Sequence, residues 1–208
     1  LAVAVGAIFA WLNERTDANL GLFGTILPVI PLLLPSVALT IGWVFLAAPN
    51  VGLINGVLKR LLGPDGLQVS IYGWFGLIWV YTIHGVPYAY LVVSSAIRNL
   101  DPALEEASLI SGAGILRTLF RISLPAIVPA LAGSCLLVVI SGLGTYSIPA
   151  IIATTAEIDV LPTKIVHLLT KDYPPHLADA QLLGLIMLVV VMGFWFLQRK
   201  LSTTGQFV

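Results

Sequence analysis

The chain has 208 residues, of which 58% are hydrophobic and 10% charged, and its formal net charge is +0; the mean hydropathy is +1.00. A composition this apolar excludes an ordinary soluble domain and suits a membrane protein that needs about 20 apolar residues for each helical crossing. There is no basic run to attract nucleic acid, and the single cysteine, Cys135, excludes an internal disulfide framework and reads as a small packing residue.

Residues 1–12 form an apolar run closed by Asn13, Glu14 and Arg15. Twelve helical residues reach about 18 Å, short of the roughly 30 Å hydrocarbon core. No basic segment precedes the run and no small-residue cleavage site follows it, so it does not read as a signal peptide. The expectation is the end of a spanning helix whose beginning is missing, and therefore a fragment. A polar turn at 13–21 leads into residues 22–48, which carry no ionisable group and are long enough to cross. Pro28, Pro31 and Pro35 each remove an amide and disfavour helix in the residue before them, so this span should be bent or start late.

Residues 49–68, with Asn50, Asn55, Lys59, Arg60, Pro64 and Asp65, read as a loop on the opposite membrane face. The next span, 69–97, opens with Tyr72, Trp74, Phe75 and Trp79 at the depth of an aromatic belt. Its one titratable imidazole, His84, is a candidate for the substrate path, although a single backbone carbonyl would also satisfy it. After a polar island at 99–125 comes a span at 125–145, crowded with Ala130, Ala132, Gly133, Ser134, Ser141, Gly142 and Gly144. These allow close helix approach, and Ser141 and Gly142 are further candidates for the path. Residues 147–179 are mixed, with a short interfacial helix expected at 163–170. His167, Asp172, His176 and Asp179 in this stretch read as solvated side chains, with no metal site assigned. The last span, 180–197, ends at Trp195 before Gln198, Arg199 and Lys200.

The island at 99–125 organises the rest. Asp101 before Pro102 is a helix start, since the Asp oxygen can accept an orphan amide and proline loses nothing at the first helical position. Glu105 and Glu106 suit the positive end of the helix dipole, and Gly112 and Gly114 stop the helix after two to three turns. Glu106-Ala107-Ser108, Gly112 and the terminal Ile122-Ser123-Leu124-Pro125 resemble the EAA signature of ABC importer permeases, with Ser108 replacing the third small residue. The resemblance implies an all-α, polytopic type I importer domain: a single permease domain over 1–208 with about four full spans and one truncated span. It implies a multi-pass protein of the bacterial inner membrane, contacting lipid, with a cytoplasmic coupling loop at 99–125.

The coupling residues it implies are Glu105, Glu106, Ala107, Ser108, Gly112, Ala113, Ile122, Leu124 and Pro125. In this picture Ala107 and its apolar neighbours Ala103 and Ile110 fill a groove on an ATPase, Glu106 makes a polar contact, and Gly112 turns the chain back. Ile122, Leu124 and Pro125 pin the loop to the next span. The partners implied are a dimer of ABC ATPase subunits, a second permease half or fused second domain, and an extracytoplasmic substrate-binding protein. The wider pattern is similar to permeases for ferric iron, spermidine or putrescine, thiamine and phosphonates, with ferric iron the substrate suggested. Basic residues agree in direction with a cytoplasmic loop: Arg15, Arg98, Arg117, Arg121, Arg199 and Lys200 inside, against Lys59, Arg60, Lys164 and Lys171 outside.

The chain has no Walker-type phosphate loop, so ATP hydrolysis is expected on a partner, with no cofactor and no catalytic residue here. Two other classes stand beside this reading. A secondary transporter or channel would call for paired intramembrane charges or internal repeats. An intramembrane serine hydrolase would use Ser111 or Ser141 with His84.

Overall fold

A computed structural model describes residues 1–16, 21–63, 66–171 and 173–204, with side chains described up to residue 200. Pro64, Asp65, Asp172 and residues 17–20 and 205–208 lie outside the described residues. In chain order the helices are α1 (Ala2–Arg15), α2 (Leu22–Ile26), α3 (Ile30–Leu33), α4 (Ser36–Ala47), α5 (Leu53–Leu62), α6 (Trp74–Arg98), α7 (Pro102–Ile110) and α8 (Ile115–Thr118). A π-helical turn (Leu119–Ser123) then leads to α9 (Leu124–Ala126), α10 (Val128–Gly144), α11 (Ser147–Ile152), α12 (Leu161–Thr170) and α13 (Leu177–Thr204). Every regular element among the described residues is helical, as expected.

Among the described residues two helices, Trp74–Arg98 and Leu177–Lys200, are long and apolar enough to cross a membrane unbroken. The expected crossing at 125–145 is instead a pair, Ile115–Ala126 and Val128–Gly144, bent by 67°. Pro125 therefore stands before the bend, and the straight helix begins at Val128. The stretch 22–48 is broken into three helices, with Pro28 between α2 and α3 and Pro35 directly before α4. This is the outcome expected from prolines that remove ladder amides. Two further helices stand where none is expected. Residues 49–68 contain α5, and the mixed segment after α10 contains α11, in which Ile148, Pro149 and Ile152 are buried.

The chain forms two compact units. One comprises residues 1–30, 85–139 and 191–208, and the other residues 31–84 and 140–190. The core of the first gathers Ala10, Tyr90, Val93, Ile97 and Ile127, with Trp11, Leu124 and Leu131 packed against them. Within it α1 lies directly on α6: a Cβ placed on Gly6 would come within 2.7 Å of Ala89 Cβ and 2.9 Å of Tyr90 N, so only glycine permits the approach. Asn13, Glu14 and Arg15 do not end α1 in a polar turn, as their character suggested. They form its last helical residues because each finds a partner. Asn13 Nδ2 donates to Tyr90 Oη at 2.9 Å, and Glu14 accepts from Ser94 Oγ at 2.7 Å and pairs with Arg98 at 2.8 Å.

The second unit has its own core of Ala47, Ile71, Leu77, Val80, Ile148 and Ile152. Trp43 and Trp79 meet edge to face there, with ring centroids 5.2 Å apart.

Candidate coupling site

Local sequence accounts for α7 at both ends. Asp101 accepts the Ala103 amide at 2.9 Å as the N-cap, and Pro102 takes the first helical position. At the far end Gly112 has φ +83°. Its amide donates to Leu109 O at 2.9 Å, while the Ala113 amide donates to Ser108 O at 3.1 Å. This is the two-bond Schellman closure of a helix, in which glycine is favoured because its left-handed conformation costs other residues strain. The six-residue interval from Glu106 to Gly112 is thus the distance from the helix's middle to its stop. Gly114, by contrast, has φ −74° and serves as the N-cap of α8.

The two neighbouring acids of the loop point in different directions. Glu106 and Ala107 lie on the exposed side with Ala103 and Ile110, the last 88% exposed. The resemblance groups Glu105 with Glu106 among the coupling residues. Glu105 is turned inward instead, pairing with Arg15 Nε at 2.9 Å and accepting a hydrogen bond from Ser123 Oγ at 2.5 Å. Arg15 Nη2 also donates to the Ile97 and Leu100 carbonyls, each at 2.9 Å, tying the end of α1 to the end of α6. Beside α7, Arg15, Glu105 and Ser123, with Trp11, Leu109 and Thr118, line a recess of about 290 Å³.

Ser108 also faces inward, its hydroxyl 2.9 Å from Thr118 Oγ1. The hydroxyl that departs from the signature is therefore used inside the loop and adds nothing to the outer surface. Ala113 and Ile122 are half-buried, Leu124 packs on the core around Tyr90, and Pro125 is exposed. The π-helical turn before Pro125 has a physical reason. Proline brings no amide, and widening the turn lets the Leu124 amide reach back to Leu119 O while the ring is accommodated.

Sequence reasoning missed Arg15, Ser123 and Thr118. Arg15 was counted only as an inside charge, Ser123 is the variable position of the terminal motif, and Thr118 carries no motif. The one signal available was that a charge at the end of an apolar helix needs a partner.

In the second unit, Ser141 Oγ stands 3.4 Å from His84 Nε2, a long contact. One turn away, Tyr81 Oη donates to Thr145 O at 3.1 Å. Gly142 leaves room beside the Tyr81 ring, whose nearest atom is 3.8 Å from the position a Cβ would take. The three path candidates are therefore neighbours. Ser111 belongs elsewhere: it is exposed and its hydroxyl donates to Ala107 O at 2.7 Å. His167 and His176 approach different carboxylates, Asp159 at 3.5 Å and Asp179 at 3.4 Å. The Lys164 ammonium, hydrogen-bonded to Asp159 at 2.9 Å, holds that carboxyl below its usual range.

Residues 2–202 match the family model described as binding-protein-dependent transport system inner membrane component. Among curated relatives, the ferric transport system permease FbpB of Actinobacillus pleuropneumoniae is 25% identical over 211 residues, which cover 99% of this chain and 30% of the relative. The spermidine/putrescine transport system permease PotB of Escherichia coli is 24% identical over 153 residues, covering 73% of this chain and 52% of the relative. This chain thus spans about a third of the length of the ferric-type relatives. Among solved structures, a bacterial alginate ABC transporter superposes with a TM-score of 0.76 at 21% identity, covering 97% of this chain and 72% of that one. The MetNI methionine ABC transporter in inward-facing form gives 0.67 at 17% identity, covering 99% and 86%. At these identities the structural likeness concerns the fold.

Proposed function

The chain belongs to the family of binding-protein-dependent transport system inner membrane components, and from that premise we propose that it is a permease half of an ATP-driven ABC importer. It acts as one permease domain over residues 1–208, with the loop at 99–125 on the cytoplasmic side. ATP is hydrolysed on a separate pair of ATPase subunits. A second permease half, in the same or another polypeptide, completes the pathway, and an extracytoplasmic binding protein delivers the solute.

The observation that carries this reading is the division of labour on α7. Ala103, Glu106, Ala107 and Ile110 are offered outward, while Glu105 and Ser108 fasten the helix from beneath. A short helix held firmly on one side and bare on the other is suited to receive force from a docked partner. Glu106 and Ala107 meet the ATPase, and Gly112 and Ala113 close the helix. Ile122, Leu124 and Pro125 join the loop to the bent lead-in of α10, and Glu105 and Ser108 act from within. In the membrane, His84, Ser141 and Gly142 contribute to the solute path.

Ferric iron is the solute proposed, since relatives matching nearly the whole chain carry that name. The test is to copurify the full-length protein with its ATPase and binding protein, reconstitute them in vesicles, and compare chelated ferric iron with spermidine. Iron should stimulate ATP hydrolysis and accumulate inside. Stimulation by spermidine alone would replace the substrate, and transport without any ATPase would overturn the class.

A further inference from the structure

Helix α5 meets three different surroundings on its three sides. One side is fastened to protein. Asn55, 1% exposed, donates to the Ala48 and Val69 carbonyls at 2.8 and 2.7 Å and accepts the Val69 amide at 2.8 Å. Ile54 and Leu58 are half-buried beside it. The second side carries Leu53, Val57 and Leu61 at i, i+4 and i+8, which are 67%, 55% and 75% exposed. The third carries Gly56 and Arg60, both exposed, and Lys59, which is half-buried. A helix this firmly held cannot hide its leucine stripe by rotating, so the stripe must meet something apolar.

The depth of α5 identifies what that is. Asn55 ties the helix to Val69, just before the spanning helix α6, and that helix opens with exposed Trp74 and Phe75. Exposed aromatic rings at the start of a crossing mark the water–lipid boundary. An amphipathic helix at that level, with apolar side chains on one sector and basic ones on the next, has the arrangement of a helix lying in the plane of the bilayer surface. Its two cations, Lys59 and Arg60, complement anionic headgroups.

We propose that α5 is a lipid-interface helix: Leu53, Val57 and Leu61 lie at the acyl–headgroup boundary, and Lys59 and Arg60 reach up to lipid phosphates. This rests on membership of an inner-membrane family and is independent of the coupling role of α7.

The test uses the full-length protein in vesicles of phosphatidylcholine and phosphatidylglycerol, in a Cys135→Ala background. Val57→Cys, Leu61→Cys and Gly56→Cys are each labelled with a polarity-sensitive fluorophore. Gly56 is the water-side control because it stands one helical turn before Lys59 and Arg60 on their side of α5, and a Cβ there meets nothing within 4 Å, so a label can be carried. Labels at 57 and 61 should be quenched by doxyl-labelled lipid several-fold more than the label at 56, with iodide giving the reverse order. Adding Lys59→Gln and Arg60→Gln should reduce lipid quenching at 61. Equal iodide quenching at all three positions would overturn the proposal. So would shielding of 57 and 61 that appears only when a soluble binding protein is added, which would make this face a protein dock.

Discussion

Arg15 and Glu105 form an ion pair of 2.9 Å with side chains only 17% and 15% exposed, joining the last residue of α1 to the inner side of α7. Ser123 completes the Glu105 carboxylate from the π-helical turn, so one acid holds together three segments far apart in sequence. Removing one member of such a pair leaves a largely buried charge without its counterion. The cost is on the order of 3 kcal/mol, far above that of an exposed pair. Glu105→Ala should therefore loosen the loop, seen as faster proteolysis within 99–125 and lower uptake per ATP hydrolysed. The swap Arg15→Glu with Glu105→Arg should restore part of the loss. Full restoration is not expected, because Arg15 also holds the Ile97 and Leu100 carbonyls.

Gly112 offers a test that separates backbone from packing. A Cβ there would meet nothing within 4 Å, but φ is +83°. Any penalty is then conformational: roughly 1–2 kcal/mol for Ala, and more for a β-branched residue. Asn, which tolerates this region, should be mild. Coupled transport by the purified complex should fall in the order Gly, Asn, Ala, Val, with ATP hydrolysis persisting in the Val variant.

The Ser108 hydroxyl gives a smaller effect. Ser108→Ala restores the common small residue of the signature but leaves Thr118 Oγ1, in a buried residue, without its partner, at a cost of about 1 kcal/mol. The double variant with Thr118→Val should recover most of it. Thermal unfolding of the detergent-solubilised protein measures both.

Asn55 is expected to be the most sensitive polar residue of the second unit. Asn55→Ala strands both the amide and the carbonyl of Val69 and takes one of two donors from Ala48 O, which keeps the Gly52 amide. At about 1–3 kcal/mol per unsatisfied buried group, the midpoint of thermal unfolding should drop by several degrees. Asn55→Asp should not rescue it, since a carboxylate cannot donate to Ala48 O and Val69 O.

Much of the fold was legible because its signals are local. The Asp101-Pro102 cap, the glycine stop at 112 and the helix-breaking prolines at 28 and 35 act within a few residues, and each appears as read. The acids at 105 and 106 show where local reading stops. Adjacent helical positions differ by about 100°, and only the positions of Arg15 and Ser123 decide which acid turns inward. Helix α5 was missed for a related reason. Lys59, Arg60 and Asn55 gave the stretch a loop's polarity, while its periodicity, Leu53, Val57 and Leu61, was the better guide. Helix α11 lies in the segment read only as mixed, and its Pro149 is compatible with helix because proline near the start of a short helix is tolerated.

The central claim is that the outer face of α7 docks on an ATPase while its inner face does not, and site-specific photo-crosslinking in cells tests it most directly. A benzoyl-phenylalanine placed at Glu106 or Ala107 should give a covalent adduct with an ABC ATPase, identified by mass spectrometry, whereas the same group at Ser108 should react only within the chain. Adducts from 106 and 107 confined to lipid or to an extracytoplasmic protein would contradict the account.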